Sequence, residues 1–175
     1  MIKEKRADMK NELTKSDIKK IEEEIEYRKL VVRREAIEAV KEARAHGDLS
    51  ENFEYHAAKK DKNQNESRIR YLERMIKTAE IVDDTSADDE VGINNTVVLY
   101  FEDDAETDTF RLVTSIRGDI MRNMISIESP LGKALLGKKE GERVYIESET
   151  GDGYYVVIKK LINTNDDSQD KIQSF

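Results

Sequence analysis

From Leu13 to His46 the chain contains neither proline nor glycine. Within that stretch Ile18, Ile21, Ile25 and Val32 recur at spacings of three, four and seven. Val31, Ile37, Val40 and Ala43 carry the apolar face onward with some drift. Thr14, with Asp17 three residues on, forms a short version of the capping box and marks a helix start. A helix over Thr14 to His46 runs about 33 residues, roughly 50 Å at 1.5 Å per residue. One apolar stripe on so long a helix requires a partner. It follows Gly47: Tyr55, Ala58, Ile69, Leu72, Ile76 and Ala79 fit a three-four repeat whose intermediate positions are Lys62 and Asn65. Two matched stripes joined by a short connection predict an antiparallel helical-hairpin coiled coil. The layers beside the turn are small or polar, which places the stable end at the base.

The period changes after residue 83. Asp83 to Glu90 is a polar, acidic break. Thr96–Phe101, Phe110–Ile116, Met124–Ile127, Arg143–Ile146 and Tyr154–Ile158 then read as short strands separated by polar turns. Ser129 as N-cap, Pro130 at the first helical position and Gly137 beyond the last mark one short helix among them. The expected fold class is α+β: the hairpin over residues 1–83, a linker over 84–90, a curled antiparallel sheet with one short helix over 91–163, and a disordered tail over 164–175.

Charge narrows the function. Residues 1–83 hold 20 Lys and Arg against 19 Asp and Glu, leaving 10 against 19 for residues 84–175. A chain of net charge −8 is a poor general duplex binder, so any nucleic-acid contact is expected to be local. The absence of cysteine excludes disulfides, thiolate zinc sites and cysteine nucleophiles. Met1 to Lys10 is charged throughout and fits neither a signal peptide nor a membrane span, so a cytoplasmic protein is expected. No Gly-rich phosphate loop and no Ser/His/Asp constellation is visible.

The hairpin turn carries the chemistry. Asp48, Glu51 and Glu54 are three carboxylates in seven residues with no cation between them. Two readings apply. In one, Asp48 is a helix N-cap and Glu51 the third residue of its first turn, where the helix dipole favours acids. In the other, two or three exposed carboxylates at the end of an arm complete a magnesium site partly built elsewhere, since magnesium takes hard oxygen ligands and often only one or two from a protein. His46 and His56 flank the turn without a recognised zinc-ligand spacing. Arg44, Lys59, Lys60, Lys62, Arg68 and Arg70 form a basic collar behind it, either a solvated face or a hold on the phosphates of a single strand.

The run Glu42-Ala-Arg-Ala-His-Gly-Asp-Leu-Ser-Glu-Asn-Phe-Glu-Tyr-His-Ala-Ala-Lys59 resembles the tip signature of the Gre family of bacterial transcript cleavage factors. Arg68-Ile69 with Leu72, and Ser129-Pro-Leu-Gly-Lys-Ala-Leu-Leu-Gly-Lys138, resemble further family motifs in the same order, so the likeness extends from Leu13 to Leu161. The resemblance implies a coiled coil that enters the secondary channel of bacterial RNA polymerase and an FKBP-like C-terminal domain that docks at the channel's mouth. It implies that Asp48 and Glu51, with Glu54 as a further candidate, are donated to the polymerase active site. There they help hold a magnesium ion shared with the polymerase, so that it hydrolyses backtracked RNA. The factor has no cofactor of its own and is not itself a nuclease. Arg44, Lys59 and Lys60 fall where the family's basic patch faces the nascent RNA 3′ segment, and the family expectation is a monomer. A paralogue that occupies the same channel and inhibits is the alternative; an intact Asp48 and Glu51 argue against it. The FKBP-like outline also raises prolyl isomerisation, but without tryptophan the domain's tyrosines and phenylalanines are equally well used as strand core. Asn63-Gln64-Asn65 departs from the family pattern of glycine and bulky apolar residues and predicts a less well packed middle of the hairpin.

Overall fold

The computed structural model describes residues 10–48 and 51–174. Its elements are β1 (Asn11–Leu13), α1 (Lys15–Tyr27), a π-helical segment (Arg28–Val32), α2 (Arg33–Ala45), α3 (Phe53–Lys77), β2 (Ala79–Ile81), β3 (Thr96–Phe101), β4 (Glu106–Val113), β5 (Met124–Ser126), α4 (Pro130–Leu135), β6 (Arg143–Ile146) and β7 (Tyr154–Ile162). They divide into two compact units, one of residues 18–79 and one of residues 11–17 with 80–174.

In the first unit the helix runs without a break from α1 through the π segment into α2, as the missing helix breakers predict. Its start follows the capping signal: the Thr14 N–H donates to Asp17 Oδ2 at 2.9 Å and the Asp17 N–H to Thr14 Oγ1 at 3.2 Å. α3 returns antiparallel. Arg33 makes a bidentate pair with Glu66 at 2.7 and 2.9 Å, and Glu24 accepts from Arg68 Nε at 2.9 Å. Ile21, Ala43, Ile69 and Leu72 are buried, whereas Val31 and Ile37, read as part of the stripe, are exposed. The π segment explains the drift. Its i→i+5 bond, Arg33 N–H to Arg28 O, adds a residue to one turn and rotates the apolar face.

The second unit is built on a five-stranded sheet in the order β5-β4-β3-β7-β6, with β1 and β2 paired separately. Strand alternation buries Val97 and Leu99, Val144 and Ile146, and Val156 and Ile158 on one face, where they meet Val91, Leu112, Ile127 and Leu135. α4 begins with Ser129 Oγ accepting from Gly132 N–H at 3.0 Å, and Gly137 takes the positive φ of +76° that ends it. Glycine is also required at position 132 within α4, because a Cβ there would lie 2.1 Å from the Ser126 carbonyl oxygen.

Three expectations need correction. The sheet is mixed, because β5 runs parallel to β4 after a crossover through two short 3₁₀ turns at Ser115–Arg117 and Ile120–Arg122. Residues 11–17 belong with the sheet, and the reason is electrostatic: fully buried Asp17 accepts from Arg117 Nε at 2.6 Å and from Thr114 Oγ1 at 2.7 Å. The tail from residue 164 is held. Asp170 pairs with Arg111 at 2.7 Å and with Arg117 at 2.8 Å, and the Gln173 N–H donates to Ile116 O at 2.7 Å. Two arginines in need of anions draw the polar tail onto the domain.

Candidate functional site

The turn between α2 and α3 is shaped by a few local demands. α2 ends at His46, whose N–H donates to Ala43 O at 3.3 Å. Gly47 follows at φ +135°, and since a Cβ there would meet nothing, the backbone angle alone calls for glycine. Leu49 and Ser50 lie outside the described residues. The chain re-enters helix at Asn52, whose Oδ1 accepts from Tyr55 N–H at 2.9 Å and whose Nδ2 donates to Ala43 O at 2.7 Å. One side chain thus caps α3 and fastens it to the last turn of α2.

Asn52 is the N-cap, which corrects the capping reading of Asp48 and Glu51. The amide wins because it satisfies an orphan donor of α3 and also donates to the Ala43 carbonyl at the end of α2, whereas a carboxylate has no N–H to give. Asp48 and Glu51 precede the helix and are exposed. Glu54 lies in the first turn of α3 with its Oε2 3.1 Å from His46 Nδ1, both side chains exposed. That contact accounts for one histidine and one carboxylate without a metal. Among the described residues no three His, Asp or Glu side chains stand close enough together to hold an ion.

The collar is divided. Arg44 stacks over the Tyr55 ring with its guanidinium 5.5 Å from the centroid, and its hydrogen bond to the Tyr55 hydroxyl holds that phenol below the ordinary value. Lys59 and Lys60 are exposed on α3, while Arg68 is buried against Glu24 and Arg70 bonds Ser67. Next to Asn52, Phe53 stands 87% exposed, a large aromatic beside the carboxylates that sequence reasoning passed over. Its signal was position: the first helical residue after a cap has no stripe to join. Chemically the turn offers hard carboxylate oxygens, nearby cations and an exposed ring.

A second exposed feature lies in the sheet unit. Ile120 is 88% and Met121 94% exposed at the crest of the second 3₁₀ turn. Asp119 accepts from Met121 N–H at 3.0 Å, exchanges two 2.9 Å backbone bonds with Met124, and Asn123 closes the turn at φ +53°. Two apolar residues between an aspartate and an arginine were the available signal.

Residues 11–81 match the family described as "Transcription elongation factor, N-terminal", and residues 86–161 match "Transcription elongation factor, GreA/GreB, C-term". Transcription elongation factor GreA of Caldanaerobacter subterraneus is 48% identical over 140 residues, spanning 79% of this chain and 89% of the relative. The protein of the same name from Streptococcus thermophilus is 45% identical over 154 residues, spanning 87% and 96%. Among solved structures, the prokaryotic elongation factor GreA/GreB from Nitrosomonas europaea is 30% identical, covering 54% of this chain and 78% of that one with a TM-score of 0.38.

Proposed function

The chain belongs to the GreA/GreB family of transcription elongation factors, and we propose that it acts on bacterial RNA polymerase to stimulate cleavage of backtracked RNA. In this reading the hairpin is a coiled coil that enters the polymerase's secondary channel and brings Asp48 and Glu51 to the catalytic centre. One observation carries it: both carboxylates are exposed at a turn whose two helices are locked together by Asn52.

The donor set fits magnesium, which accepts hard carboxylate oxygens and commonly takes only one or two from a protein. Asp48 and Glu51 would hold it, and when bound it supplies Lewis-acid stabilisation of the charge that develops on phosphate oxygens. The remaining ligands come from the polymerase. Lys59 and Lys60, with Arg44 fixed on Tyr55, face the RNA 3′ segment, and Glu54 is held back by His46. The second unit is FKBP-like and docks at the channel mouth through the preorganised Ile120–Met121 turn. The factor works as a cytoplasmic monomer with no catalytic centre of its own; among the described residues no helix is long and apolar enough to cross a membrane.

The test is RNA cleavage in purified backtracked elongation complexes at several magnesium concentrations. Asp48→Asn and Glu51→Gln should each lower stimulation by roughly 10²- to 10³-fold at saturating factor, while polymerase binding is retained. Binding without stimulation by the wild-type protein would overturn the proposal, as would full stimulation by the folded variants.

A further inference from the structure

The middle of the hairpin is held by polar side chains. Between Ile21 and Ala43 no residue of the first helix is fully buried, and its apolar residues there, Ile25, Val32, Ala36 and Val40, are only half-buried, so its apolar hold on α3 is shallow over most of its length. The buried residues on the α3 side include Asn65, 4% exposed, and Arg68, 3% exposed. Arg28 and Glu24 meet them. Glu24 Oε1 accepts from Arg28 Nε at 2.7 Å and from Arg68 Nε at 2.9 Å, while Arg28 Nη1 donates to Asn65 Oδ1 at 3.1 Å. Asn65 Nδ2 in turn lies 3.4 Å from the Arg28 carbonyl oxygen, the acceptor of the π segment's i→i+5 bond.

We propose that Asn65 is the positioning residue of the arm: through Arg28 it selects one register of α3 against the first helix and pins the π segment at Arg28–Val32, thereby setting where the tip stands. The inference rests on the proposed function for its consequence, but not for its geometry.

The physical reasons are these. Dispersion between apolar side chains is nondirectional and tolerates a slip, whereas a buried amide that has given up water is satisfied in one register only. A polar residue inside a helical interface is the best-attested device for specifying register. The π turn raises the stakes, because one inserted residue rotates everything beyond it by about a third of a turn. A slip of one helical turn displaces the tip by about 5.4 Å, and a misplacement of about 1 Å can cost a catalysed reaction around 100-fold. The departure at Asn63-Gln64-Asn65 is therefore resolved at Asn65 as a satisfied polar contact.

The absence of cysteine makes the test direct. Ala39 and Arg74, both exposed and staggered along the hairpin, are changed to cysteine in the full chain, and the nitroxide–nitroxide distance is measured. The parent should give one narrow distance. Asn65→Leu, which keeps the branched shape and adds apolar burial, should stay folded yet broaden or displace that distance by up to about 5 Å, and should lower cleavage stimulation about tenfold or more at saturating factor. Asn65→Asp keeps the acceptor for Arg28 Nη1 and gives up only the long 3.4 Å contact to the Arg28 carbonyl oxygen, so it should keep a single narrow distance. An unchanged distance in folded Asn65→Leu overturns the register assignment; a displaced distance with undiminished stimulation overturns the positioning role. If the wild-type protein stimulates no cleavage, the proposed function falls, and the distances alone still decide the register.

Discussion

Asp17→Asn probes the buried charge network of the second unit with almost no change in shape. The carboxylate is fully buried, accepts from the Thr14 N–H, the Thr114 hydroxyl and Arg117 Nε, and is the shorter of Arg117's two ion-pair partners. Arg117 is also fully buried, and its Nη2 already has no hydrogen-bond partner among the described residues. Removing the fully buried partner leaves Arg117 with Asp170 as its counter-charge, which puts the loss at about 3 kcal/mol, the low end for breaking a buried pair. For a unit of roughly 100 residues that is a drop in Tm of at least about 12 °C. Urea and thermal unfolding can be followed by tyrosine fluorescence, since the chain has no tryptophan and four of its seven tyrosines, Tyr100, Tyr145, Tyr154 and Tyr155, lie in this unit. Asp170→Asn is the control. It removes the outer partner, leaves Arg117 with Asp17 and with Asn94 Oδ1 at 2.6 Å, and should cost less. A loss below about 1 kcal/mol for Asp17→Asn would refute the reasoning, since the charge would then be met by groups other than this carboxylate.

Two further outcomes follow from the hairpin. Asn52→Ala removes a helix cap and the bond to Ala43 O, and should lower hairpin stability by about 1–3 kcal/mol, read from the helical circular dichroism signal. Burial pushes the Glu24 carboxyl up, but the guanidinium groups of Arg68 and Arg28 outweigh it and hold the group below its ordinary value. A lowered folded-state value contributes stability that is present above the unfolded value and is lost as pH falls through the folded one. The hairpin should therefore weaken in urea below about pH 4, and Glu24→Gln should flatten that dependence.

What the sequence makes legible is local chemistry. The Thr14–Asp17 box, the strands Thr96–Phe101 and Arg143–Ile146, and the Ser129-Pro130 start of α4 each depend on residues within a few positions of one another, and each forms as expected. Asp17 shows the limit. Its capping role is visible three residues away, while its bond to Arg117 joins residues 100 apart and has no local signature. The tail shows the same limit: a polar stretch looks disordered until Arg111 of β4 and Arg117 of the first 3₁₀ turn supply its partners. At the turn, the acidic pattern at Asp48 and Glu51 drew attention from Asn52, a better cap only because Ala43 O stands opposite it across the loop. That Asp48 and Glu51 lie outside the helix was thus legible only once the cap was known.

The hairpin divides its tasks between two asparagines, and the division can be separated by experiment. Asn52 acts across the turn, within reach of Ala43 and Tyr55, and its loss frays the tip without requiring α3 to move along the first helix. Asn65 acts in the middle, where directional bonds to Arg28 stand in for an apolar core, and its replacement moves the tip as a body while leaving the cap intact. Asn52→Ala should therefore leave the distance between labels at Ala39 and Arg74 unchanged and reduce helix near the turn, whereas Asn65→Leu should do the reverse. If each defect is confined in this way, combining the two should lower cleavage stimulation by the product of their separate effects, because the sites share no side chain. A combined loss no larger than that of Asn65→Leu alone would mean that the tip is already disordered once the register is lost, and that the arm behaves as a single cooperative element.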